Sequence, residues 1–153
     1  MIAYALDASG FFTAKSSLGA DLSLVISVVA AILLTAGVLL VRRRRYEAHR
    51  WVQTVAVILN AFLVALWMVR SLWLYILPGV PGSLSSGSHA LAAVHAAIGA
   101  VGVTLGIFIV VRANQLTARR RTVSPYKMAM RVAYVVYLLG VVLGIALYVV
   151  TYG

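Results

Sequence analysis

The sequence predicts an all-α integral membrane protein, a four-helix bundle of up-down topology. Three observations predict it. The 153 residues are 63% hydrophobic, with a mean hydropathy of +1.03, whereas a soluble domain of this size is nearer half apolar. Four apolar runs are each long enough to cross a hydrocarbon core of ~30 Å, which takes about 20 helical residues. Eleven of the 13 Lys and Arg fall in two inter-helical stretches, Arg42–Arg45 with Arg50, and Arg112 through Arg119–Arg121 to Lys127 and Arg131. Basic loops stay in the cytoplasm, so both termini are expected outside the cell membrane.

Residues 1–20 form a short extracytoplasmic tail whose charges are Asp7 and Lys15. It lacks the basic start and apolar run of a cleavable signal peptide, and Phe11 and Phe12 are expected at the interface. The first span covers about 21–41, with Asp21 as N-cap at the positive end of the helix dipole and Arg42–Arg45 as its stop. The second covers about 49–77. At ~1.5 Å per residue it is ~44 Å long, so it should tilt or protrude. Trp51 and Trp73 mark its two interfaces, Pro78 ends it, and PGVPGSLSSGS reads as an outer loop. The third covers about 89–111 and stops at Arg112. After the linker ANQLTARRRTVSP, Ser124-Pro125 opens the fourth, about 127–150, with Tyr148 and Tyr152 as interfacial aromatics near its outer end.

Composition also excludes functions. The net charge of +10 sits at helix ends, which suits the anionic lipids of the cytoplasmic leaflet and not nucleic acid. The absence of cysteine rules out disulfides, thiolate metal sites, iron–sulfur clusters and thioether-linked haem. HExxH, GxSxG and P-loop motifs are missing. The acids are Asp7, Asp21 and Glu47, too few for paired-carboxylate catalysis or a hard-metal cage. Glu47 reads as a local ion-pair partner of Arg43–Arg45. A non-catalytic role is expected.

Polar groups inside a span normally face protein or a cavity. At ~100° per residue, His49, Gln53, Asn60, Trp67 and Ser71 fall on one line of span 2. This stripe either bonds across to neighbouring helices or lines a path for a cofactor, quinone or proton. On span 3, Ala92, His95, Gly99, Gly102 and Gly106 share a face, and span 4 carries Gly140 and Gly144 beside Tyr137 and Tyr148. These small-residue faces either pack spans 3 and 4 closely or leave room beside His95 for a flat macrocycle. Measured from the span centres, His95, Met68 and Arg70 lie ~9–12 Å toward the outer face, with Asp21 further out. That depth suits one cluster, in which Asp21 pairs with Arg70; snorkelling of Arg70 is the alternative. His49 lies at the opposite end, and His89 and His95 point about 120° apart. A haem b would therefore be held by His95 with Met68, by one axial ligand, or with a ligand from a partner subunit.

The run from GADLSLVISVVAAILLTAGVLLVRRRRYEAHRWVQTVAVILNAFLVALWM through SHALAAVHAAIGAVGVTLGIFIVVR to YKMAMRVAYVVYLLGVVLGIALYVV resembles a family of small four-helix membrane proteins of bacteria and archaea. Its genes often lie near those of haem-copper oxidases, and some members are tied to oxidase maturation. His49-Arg50, Asn60, His95 with Gly99, and the turn from Lys127 to Arg131 carry the resemblance. This chain has fewer histidines than better-known members, as a divergent member would. The resemblance implies an accessory or assembly protein of a respiratory haem-containing complex, with other membrane subunits as partners. A redox subunit holding haem b or a quinone near His95, Met68 and Asn60 is a second expectation. A structural, lipid-facing subunit is a third, in which Asn60 and His95 are replaceable by Leu.

Overall fold

Large apolar side chains point out of this molecule and small ones point in. In the computed structural model, which describes residues 6–79, 87–118 and 127–153, Ile32, Phe62, Val135 and Val142 are each more than 60% exposed. The buried set is Ala20, Ala30, Ala56 and Ala92 with Leu34 and Leu63, joined by Gly19, Gly37 and Gly140. Water would invert that arrangement. Lipid does not, because hydrocarbon solvates Ile and Phe, and helices associate by close backbone approach over small residues.

Four helices are long and apolar enough to cross a membrane, and no strand occurs among the described residues. Helix α1 is Leu18–Arg42, α2 is Tyr46–Leu63, α3 is Gly87–Ala118 and α4 is Lys127–Tyr152. Helix α2 continues through π-helical turns at Val64–Met68 and Leu72–Ile76, separated by Val69–Ser71, and closes with a 3₁₀ turn at Leu77–Gly79. Pro78 thus ends the second span as expected. The outer loop at 80–86, Arg119–Arg121 and the Ser124-Pro125 start lie outside the described residues.

Boundaries differ from the sequence reading in two places. The N-cap of α1 is Ser17, whose backbone is extended and whose hydroxyl accepts the Ala20 N–H at 3.3 Å. Asp21 sits one turn inside, freed for another task. Helix α3 runs six residues past Arg112, because a single arginine at a helix end does not break hydrogen bonding, and ANQLTA contains no helix breaker.

Helix α1 packs along α2, and α3 along α4. The two hairpins meet at the thinner α2–α3 and α1–α4 seams. Each neighbouring pair is antiparallel with constant register. Gly19, Leu34 and Gly37 of α1 meet Trp67, Gln53 and His49 of the second span. His95, Ile98 and Gly102 meet Gly144, Gly140 and Val136. Between α1 and α2 the chain turns at Arg43–Arg45. Arg44 takes the left-handed conformation (φ 57°), and the N–H groups of Arg44 and Arg45 return to the carbonyls of Val41 and Leu40, both at 2.9 Å. The αL residue is what lets two orphan carbonyls of α1 be satisfied within so short a turn.

Candidate functional site

The inward stripe of the second span behaves differently at its two ends. At the basic end, beside Arg42–Arg45, it zips onto α1. His49 Nδ1 lies 2.8 Å from the Gly37 carbonyl, and Gln53 Nε2 donates to the Leu34 carbonyl at 3.0 Å. Gly37 makes this possible, because a Cβ there would overlap the Gln53 amide. The hydroxyls of Thr35 and Tyr134 meet at 3.0 Å across the α1–α4 seam. Near mid-depth the Asn60 carbonyl oxygen accepts from Tyr137 at 3.3 Å. The expectation that this stripe bonds across to neighbouring helices holds at His49, Gln53 and Asn60.

Beyond Asn60 the hairpins part around a cavity of ≈ 980 Å³. Its walls include Trp67, Met68 and Ser71 of the second span, His95, Gly99 and Gly102 of α3, and Tyr137, Gly140 and Gly144 of α4. On α3 it extends from Ser88 to Val103, about 22 Å of helix. Two local features line it. Ala92, Ala96, Gly99 and Gly102 give α3 a face with almost no side-chain volume, and a Cβ added at Gly99 would meet nothing within 4 Å. The facing wall is the π-helical part of the second span, and π turns are enriched at functional sites.

Two polar atoms in this wall are buried without a hydrogen-bond partner among the described residues, Ser71 Oγ and His95 Nδ1. Such atoms are costly unless something else satisfies them. The His95 ring lies against α4, near the Gly140 backbone. A Cβ on Gly144 would come within 3.0 Å of its Cε1. The Gly140–Gly144 pair therefore seats the histidine. Gly106 faces Val57 of α2 instead of α4, at the level where the α2–α3 seam is closed.

The expected Asp21–Arg70 pair does not form. Residues 6–17 fold back over this end of the bundle and supply nearer partners. Asp7 takes Arg70 in a two-pronged pair at 3.0 and 2.6 Å. Asp21, 0% exposed, accepts from the N–H groups of Phe11 and Phe12 at 2.5 and 2.8 Å and from the Tyr148 hydroxyl at 2.5 Å. Tyr148, near the outer end of α4, thus serves as a hydrogen-bond donor to Asp21. Glu47 pairs with Arg50 at 2.6 Å and accepts from the Trp51 indole, instead of serving Arg43–Arg45, because Arg50 lies one turn on along the same helix.

The structure therefore gathers Asn60, Met68, His95, Gly99, Gly102, Gly140 and Gly144 around one cavity. It leaves His49, Gln53 and Gly106 in the packed end. The folded tail escaped the sequence reading. Its signals were Ser16-Ser17 ahead of the apolar run, and Gly10, where a side chain would collide with Ser16 and Asp21. Among the described residues no three His, Cys, Asp or Glu converge on a metal position. No protein-family model, curated protein or solved structure matches the chain.

Proposed function

We propose that this protein is a non-catalytic membrane accessory or assembly component of a respiratory haem-containing complex, and that it works by holding a lipid-soluble ligand in the cavity at its tail end. The observation that carries the ligand-holding part is the cavity itself. Its volume falls at the upper end of small-molecule sites, and it is mostly apolar with a few inward polar groups. The respiratory context is supported by the sequence resemblance. By the positive-inside rule the basic loops face the cytoplasm, which puts the cavity mouth and both termini on the outer face of the cell membrane.

The residues present fit a haem b. His95 offers an imidazole whose Nδ1 is unbonded among the described residues, Met68 offers a thioether in the same cavity, and Gly99 leaves the wall flat. His95 would hold the iron, with Met68 as second donor, and a bound haem would supply one-electron chemistry or be delivered as cargo. A quinone is the second reading. It is favoured by Ser71 Oγ, a second orphan donor in the same cavity, since a quinone ring presents two carbonyl acceptors.

Purification from the native membrane in mild detergent tests the proposal, with an absorption spectrum, solvent extraction and identification of co-purifying chains. A Soret band or an extractable quinone, together with respiratory subunits, is expected. A colourless protein removes the haem version. A preparation free of respiratory subunits removes the accessory role.

A further inference from the structure

The mouth of the cavity has a charge that its apolar interior does not explain. Residues 6–17 form a strap across it. The strap is closed on itself by Gly10 N–H donating to the Ser16 carbonyl at 2.8 Å and Leu18 N–H to the Ala8 carbonyl at 2.7 Å. It is pinned from below by the buried Asp21 through the Phe11 and Phe12 amides. This fixes the turn Thr13–Ser16 over the opening and brings Lys15 into the cavity lining. Among the described lining residues the one carboxylate is Asp7, and both of its oxygens are taken by Arg70. Lys15 has no acidic partner among the described residues. Lys15 is therefore the one Lys or Arg among the described lining residues, exposed above a greasy shaft.

We infer that the ligand is an amphiphile with an anionic head, its apolar body in the shaft and its carboxylate or phosphate at Lys15. The inference rests on the reading of the cavity as a ligand site and adds the chemical class. An anionic head pairs with the Lys15 ammonium at the rim, and an uncharged one leaves it to solvent. Asp21 acts as a positioning residue, since it holds the strap that carries Lys15. A free fatty acid, an anionic phospholipid and a macrocycle bearing carboxylates share this chemistry.

Trp67 lies in the cavity wall and reports on occupancy. With Trp51 and Trp73, both exposed, replaced by Phe, the remaining emission comes from Trp67. The purified full-length protein is titrated with 9,10-dibromostearic acid and, separately, with its methyl ester. The acid is expected to quench at about two- to five-fold lower concentration than the ester, the range for one exposed ion pair. Lys15→Gln should abolish that preference and Lys15→Arg should keep it. Equal quenching by acid and ester, or a preference that survives Lys15→Gln, overturns the inference while leaving the cavity reading standing. Failure of every probe to reach Trp67 brings down both. Parallel titrations with brominated phosphatidylglycerol and with haemin identify the source, as the anion whose Lys15-dependent binding is tightest.

Discussion

Gly37 and Gly99 look alike in the sequence, each a glycine within an apolar helix, and the bundle uses them in opposite ways. At Gly37 the missing side chain is filled by a neighbour, the Gln53 amide. At Gly99 it is filled by nothing. The contrast extends to the two halves they belong to. The basic half is closed by side chain to backbone hydrogen bonds between α1 and α2 and by small residues in contact. The tail half surrounds a cavity walled in part by π turns, with a strap and a buried carboxylate at its end. A glycine in a membrane helix is thus no sign of close packing until its opposite wall is known.

The strongest perturbation of this comparison is Asp21→Ala. It leaves two amides and the Tyr148 hydroxyl without their acceptor, and unsatisfied buried donors are costly. A fall in melting temperature on the order of 10 °C is expected, with new protease cleavage within residues 6–17. Gly37→Leu attacks the other half. It should displace Gln53, cost about 2 kcal/mol in a denaturation series and leave ligand binding at the tail end intact. Arg44→Gly should stabilise by about 1 kcal/mol, because an arginine in the left-handed region is strained where glycine is not, and the same series reads it. Asn60→Leu, at the border of the halves, removes one hydrogen bond to Tyr137 at 3.3 Å. A loss of about 0.6 kcal/mol is expected, the usual worth of a polar contact between membrane helices.

The fold was legible because lipid imposes a coarse code. A helix must be long and apolar, and its charges must stop at the interface, so runs of apolar residues and arginines located all four spans, most ends to within about three residues and the end of α3 seven residues short. The inward stripe was legible too, since His49, Gln53 and Asn60 lie on regular helix where ~100° per residue applies. What stayed hidden depends on contacts between distant residues. Asp21 as the anchor of the strap needs Phe11, Phe12 and Tyr148 in one place, and periodicity says nothing about a folded tail. The π turns between Val64 and Ile76 have no simple sequence mark. Whether Gly140 and Gly144 admit a helix or a side chain was decided by His95, which sits across from them. The sequence depth estimate brought Met68 and His95 to one level, and both line the cavity. Of its two readings of Arg70, the pair with Asp21 fails because Asp7 of the folded tail lies nearer.

The hollow tail half is tested most directly by filling it. Native mass spectrometry of the protein released from mild detergent should show a bound ligand mass on the wild type and on Val142→Phe, a change on the lipid-facing surface. Gly99→Trp should lack that mass at an unchanged melting temperature. The same ligand occupancy on all three proteins would contradict the cavity as the binding site.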